Sequence, residues 1–506
     1  MSKFPKPREV YDYRPIIHFT PPSNWINDPN GMVYLNGKYH LFYQHFPLAP
    51  HWGPMHWGHA VSEDLLHWKH LPIALYPDEL GCIFSGSCVY DEENLSGLGT
   101  EEKPPLLAIF THHSMDGSHT EQQGLAYSTD YEHFEKYYGN PIIPNPGQKD
   151  FRDPKVFWNP VRRCYSLVLA AGDHVEFYAS HNLKDWEKTG EFKAGEHGLK
   201  GVCECPDCFP LPVAGTQCVP AENPVSASAA AASPVKEKWV LVISMILPRE
   251  EIGKNNDVYD RMSHITQYYI GEFDGNTFRD TEMADTPLLL DYGTDNYAAV
   301  TFQNLDEKVM IGWADNWDYA NFAPSDTSGF RGKMTLARKM HLVPTKEGYR
   351  VAFSFEGLDE LRTHAFPLLP GENRLRSQCF GLKVNVAGPG SIVLKNQRGE
   401  MLAIRVTASE IIVDRTNAGQ DDFSESYALP AYGRTHAPRP ATAKDSLHCK
   451  ARPEAVSEME IILDKCILEV LADDGLLPIT ASVYPSKPYE KICIAGDLKA
   501  EYYCVH

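Results

Sequence analysis

Short apolar or alternating runs recur along the chain: KYHLFYQHF at 38–46, PLLAIFTHH at 105–113, CYSLVLAAG at 164–172, KWVLVISMI at 238–246 and KVMIGWAD at 308–315. Turn residues separate them, and few stretches carry the 3.6-residue spacing of a helix, so the pattern predicts an all-β protein. A looser period overlies the strands. SEDLLHW from Ser62 to Trp68, STDYEHF from Ser128 to Phe134 and SHNLKDW from Ser180 to Trp186 each place an aromatic six residues after a serine. EFDGNTF, ending at Phe278, reads as a fourth copy. Several strands between such copies suit the blades of a propeller, whose sheets bury their faces on one another around an axis.

The period fades near residue 350. VAFSFEGLDELRTHAF at 351–366 reads as a connector, followed by new alternating runs: GLKVNVA, SIVLKN, LAIRVTA, MEIILDKCILEVLADDG and PITASVYP. Alternation without a period predicts a β-sandwich over 367–506. Two segments read as irregular: 212–238, rich in Ala, Ser and Pro, as a mobile insertion, and about 415–450 as loop.

Composition narrows the partners. With 47 Lys and Arg against 67 Asp and Glu, the formal charge is −20, which argues against nucleic acid and anionic membrane as partners. No apolar run nears the ~18–20 residues that span a bilayer, and the first residues lack the apolar stretch of a secretory leader, so a cytoplasmic home is expected. The 12 cysteines are too scattered for a disulfide framework and are expected to be reduced thiols.

Blade-borne catalytic groups should be far apart in sequence and set in tight turns. Asp28 in WINDPNG (25–31) precedes a proline, which holds it extended and aims its side chain; a plain turn is the alternative. Asp153 in DFRDPK (150–155) stands beside Arg152, whose charge is expected to lower its pKa; a surface ion pair is the alternative. Glu204 in VCECPDCFPL (202–211) lies among thiol and apolar neighbours, which should raise its pKa toward that of a general acid. Cys203, Cys205, Cys208 and Cys218 raise the question of zinc, but their spacing is not a standard one, and a metal there would hold Glu204 ionised. No metal or cofactor is expected.

Together these segments resemble glycoside hydrolase family 32, the β-fructofuranosidases. The resemblance continues through LFYQHFP, WGHAVSEDLLHWKHLPIALYP, FSGS at 84–87, DYGTDNYAA at 291–299 and GWADNWDYANF at 312–322. It implies a five-bladed β-propeller followed by a β-sandwich, and retaining, exo-acting hydrolysis of sucrose and short β-fructans. Asp28 matches the nucleophile, Glu204 the acid/base and Asp153 the transition-state stabiliser. Asn27, Gln44, Ser85 and Arg152 match sugar-contacting positions, with Trp52, Phe84 and Trp317 as apolar walls; without the resemblance, these aromatics read first as blade packing and only second as substrate contacts. Asp295 lies in another matching motif, with Asn296 where an aromatic is usual. A fructosyltransferase sharing the covalent intermediate and a non-catalytic sugar-binding propeller are the rival readings.

Overall fold

The computed structural model describes residues 11–213, 237–248, 263–284, 286–439 and 457–505. Of the expected insertion at 212–238, residues 214–236 fall outside the described residues, as does Cys218. Five antiparallel sheets form the first unit. Their innermost strands are Asn24–Leu35, Cys82–Tyr90, Phe151–Asn159, Val202–Pro212 and Tyr297–Thr301, and each touches the next, with the fifth returning to the first. This is a five-bladed β-propeller. The ring is closed by Phe330–Arg331, a segment from the fifth blade that pairs in parallel with Asn24 and Trp25 of the first.

The serine period has a local cause. Ser62, Ser128 and Ser180 end the third strands of blades one to three, and each hydroxyl accepts the amide of the residue three positions on, at 2.8 Å. Those residues, Leu65, Tyr131 and Leu183, have φ of 68°, 66° and 60°, a left-handed turn that the serine bond helps hold. In the fourth blade the Asp274 carboxylate accepts the Thr277 amide at 3.0 Å in the same role. Of the aromatics six residues after each serine, Trp68 opens the outermost strand Trp68–Leu75, while Phe134 and Trp186 directly precede Glu135–Lys136 and Glu187–Phe192, and all three pack on clusters shared by neighbouring blades. Full burial of one such ring contributes on the order of 1.5–3 kcal/mol; Phe42 and Trp57 of blade one share a cluster with Phe110 of blade two, all three without exposed surface.

The strand Gly348–Phe355 completes the fifth blade, and the short helix Asp359–Arg362 follows it. A ten-stranded antiparallel sheet then folds over a single apolar core as a β-sandwich. The stretch 415–450 is not simply loop: helices Glu425–Ala428 and Pro430–Gly433 and the strand Arg434–Pro438 lie within it, while 440–456 are outside the described residues. The polar composition that suggested a loop includes Ser424, which caps the first of these helices, and Tyr427 and Tyr432 bury their rings against the propeller cluster.

The two units meet through buried charge. Arg338 of blade five reaches Glu469 Oε2 at 2.6 Å and Asp291 Oδ2 at 2.8 Å. His18 bonds Asp464 at 2.9 Å and Glu469 at 3.0 Å, and the amides of Ile16, Ile17 and His18 also donate to Asp464. All of these side chains are essentially without solvent contact, so each charge depends on its partners.

Candidate active site

Every innermost strand changes register near its N-terminal end. In each, three steps along the inner strand face two along its neighbour, which places a β-bulge at Asn27–Asp28, Phe84–Ser85, Asp153–Pro154, Cys205–Pro206 and Ala298–Ala299. A bulge leaves a residue outside the ladder and re-aims its side chain. Three of these residues, Asp153, Cys205 and Ala298, have φ of 66°, 42° and 54°, a conformation that costs a non-glycine residue on the order of 1–3 kcal/mol. The ring therefore turns five sets of side chains toward its axis.

Asp28 is held by two donors. Asn27 Nδ2 donates to Oδ1 at 3.0 Å and Ser85 Oγ to Oδ2 at 2.7 Å. Asn27 is itself fixed by Trp25 Nε1, at 2.8 Å. Cys205 links this carboxylate to the next: its thiol lies 3.6 Å from Asp28 Oδ2 and 3.5 Å from Asp153 Oδ2, and its amide donates to Asp153 Oδ2 at 2.9 Å. Glu204, the adjoining residue, takes Arg152 on Oε1, at 2.9 Å from Nη2 and 3.2 Å from Nε, and the Tyr297 hydroxyl on Oε2 at 2.5 Å. Residues 28, 153 and 204, so far apart in sequence, meet at one point, and 17% of the Glu204 side chain remains open to solvent.

Burial raises the pKa of Asp28, and the charge of Glu204 raises it further against the bonds from Asn27 and Ser85. For Asp153 the expected lowering by Arg152 does not prevail. Burial first, and then the charges of Glu204 and Asp28, push it up to about 8. The surroundings of Glu204 also differ from expectation, since a guanidinium and a phenol face it rather than an apolar and thiol lining. The neighbouring thiols turn elsewhere: Cys203 and Cys208 join a blade core, whereas Cys205 belongs to the axial cluster.

The outer shell is mixed. Trp52 is 42% exposed and meets the half-buried Phe84 edge to face at 6.3 Å. Trp317 packs on the buried Trp25 and Trp313 at 5.8 and 4.8 Å. Gln44 is buried beneath Asn30, donating to its Oδ1 at 2.7 Å. Asp295 is fully buried and serves the domain junction, accepting the Tyr319 hydroxyl at 2.6 Å and the Ser482 amide at 2.9 Å.

Three contributors escaped the sequence reading. The sequence presents Cys205 as a reduced thiol neighbour of Glu204 or a zinc ligand, not as a bridge between Asp28 and Asp153. Tyr297 lies in DYGTDNYAA, the segment from which Asp295 was singled out, and the short extended run after the turn was the available signal. Glu121, whose carboxylate receives Arg152 Nη1 at 3.1 Å, carries no motif at all.

Residues 18–352 match the family described as glycosyl hydrolases family 32 N-terminal domain, and residues 334–497 match its C-terminal counterpart. A levanase of Bacillus subtilis (strain 168) is 38% identical over 98% of this chain and 70% of its own length. An extracellular exo-inulinase of Aspergillus niger is 31% identical over 94% of this chain and 90% of its own. The crystal structure of an exo-inulinase from Aspergillus awamori superposes with a TM-score of 0.82 at 29% identity, covering 98% of this chain and 99% of that one. With both units matched in order, and likeness to characterised relatives along nearly the whole length, the chain belongs to family 32 of the glycosyl hydrolases.

Proposed function

We propose that the protein is a retaining, exo-acting β-fructofuranosidase that releases the terminal fructose of sucrose and short β-fructans. The observation that carries this reading is the convergence of Asp28, Asp153 and Glu204 around Cys205. A protein that only binds sugar has no use for three carboxylates so placed, because their mutual repulsion must be balanced by bonds such as those from Ser85 and Arg152.

In the first step Asp28 attacks the anomeric carbon of the fructosyl unit as the bond to the leaving oxygen breaks, and Glu204 delivers the proton to that oxygen. In the second, Glu204 takes a proton from water, which displaces the Asp28 ester and restores both carboxyl groups. Asp153, beside both, accepts hydrogen bonds from fructose hydroxyls. Asp28 and Asp153 are both pushed up, by burial and by the charge of Glu204 beside them. Asn27, Ser85 and Arg152 hold the carboxylates in place, and Trp52, Phe84 and Trp317 offer apolar surface to the sugar. The levanase and exo-inulinase likenesses support fructans as well as sucrose among the substrates.

A product time course on sucrose, raffinose, inulin and levan tests this. Free fructose should be the first product from each accepted donor, and Asp28→Asn should abolish it. Transfer of fructose to a second sugar as the main product would replace hydrolase by transferase, and binding without turnover would refute the reading.

A further inference from the structure

We propose that Glu121 is a positioning residue for the acid/base group: through Arg152 it fixes how much of the guanidinium charge reaches Glu204. The proposal rests on the acid/base role read above for Glu204.

Glu121 opens the second blade's third strand, opposite His113 in the hairpin register, and is 5% exposed. Its bonds are saturated. Oε2 takes the Phe151 amide at 2.8 Å and Arg152 Nη1 at 3.1 Å, and Oε1 takes Nη1 at 3.2 Å and faces His113 Nδ1 at 3.1 Å. Arg152 therefore works as a divided fork. Its Nη1 side serves Glu121 and Asp150, the latter at 2.9 Å, while Nη2 and Nε serve Glu204.

The division matters because a guanidinium is always charged and favours the ionised form of any carboxylate it faces, whereas an acid catalyst must hold its proton. A second carboxylate on the same guanidinium opposes that bias. Two observations single out Glu121 for this task over Asp150. It is buried, so its charge is little screened, and it is itself held below its ordinary range: His113 and Arg152 outweigh the effect of burial, so it stays ionised. The other charged or titratable groups facing this line are Tyr297, Asp28, Asp153, Cys203 and Cys205 around Glu204, Lys149 at 3.9 Å from Asp150, Cys82 near Glu121, and His119 at 3.3 Å from His113. His113 also stacks on Phe84 at 4.3 Å, so the line begins at the pocket wall and ends at the acid.

The test is Glu121→Gln, which keeps size and removes charge. Glu204 then faces an undivided guanidinium and loses its proton more readily. The alkaline limb of kcat/KM for sucrose should move down by about 0.5–1 pH unit, a three- to tenfold loss on that limb with the acid limb in place. Glu121→Asp, which keeps the charge, should restore the limb at least in part. A profile lowered evenly at all pH values, or one that does not move, would overturn the proposal. An infrared titration of the protonated-carboxyl band that disappears in Glu204→Gln reads the same shift without turnover. An unmoved band in Glu121→Gln overturns the proposal whether or not the wild type releases fructose, whereas failure of the proposed function shows in the wild type alone.

Discussion

Asp153 should make the protein less stable than it could be, and the size of the penalty follows from its surroundings. Its carboxyl, with an ordinary pKa of 3.8, is pushed up to about 8 by burial and by the charges of Glu204 and Asp28. A raised carboxylate costs nothing below pH ~4, where it is neutral folded or unfolded. As pH rises from there toward 8 the unfolded chain ionises first, so stability falls across that window and levels off above it. At about 1.4 kcal/mol per pH unit, the penalty at pH 7 is roughly 4 kcal/mol. Asp153→Asn keeps an oxygen for the Cys205 amide and removes the charge. The variant should therefore melt several degrees higher than wild type at pH 7, and the gap should close at pH 4. Calorimetry or urea unfolding of both proteins from pH 4 to 8 measures it. Equal melting at every pH, or a gap that does not change with pH, would refute the reasoning. Loss of fructose release in the more stable protein would mark the penalty as the cost of function.

Arg338→Met should destabilise the junction by about 3–5 kcal/mol, because Glu469 and Asp291 stay buried without their counter-charge; chemical denaturation gives the number, and a loss under 1 kcal/mol would contradict it. The same junction should be acid-labile. Asp464 and Glu469 are held below their ordinary range by His18 and Arg338 against the effect of burial, so their stabilisation is present above pH ~4 and lost as pH falls through their folded values. His18, raised by the two carboxylates against burial, adds stability in full below pH ~6.5 and loses it as pH rises through its folded value. Melting temperature against pH should show both flanks in the wild type, and only the first in His18→Gln. Ser85→Ala removes a 2.7 Å bond from Asp28, so Asp28 should hold its proton to higher pH. The acid limb of kcat/KM should move up, with a loss of roughly 10–100-fold at low pH, the value of one hydrogen bond to a charged group.

Much of the architecture could be read in the sequence because its signals are local. The serine turns follow from a hydroxyl three residues before a left-handed backbone, and such a turn needs nothing beyond its own few residues. Asp28, Asp153 and Glu204 announce themselves by the prolines at or beside their bulges, Pro29, Pro154 and Pro206. The failures concern sums over distant groups. Arg152 stands next to Asp153 in sequence, yet its fork is committed to Glu204, Glu121 and Asp150, and burial governs Asp153 instead. Asp295 carries the look of a site residue, but a strand of the second unit, visible only in three dimensions, claims it. Glu121 has no sequence mark, because what makes it matter is a guanidinium 31 residues away.

The five register offsets around the axis work like the blades of an iris, each contributing one out-turned step that together set the aperture. Side chains alternate faces along a strand, so trimming one residue from any of those steps would swing the whole tip of that strand to the wrong side. Inner-strand length is therefore a poor place for change in this architecture. Loops beyond the strand tips are free of that arithmetic, and new donor or acceptor preferences can be installed there while the opening itself keeps its gauge.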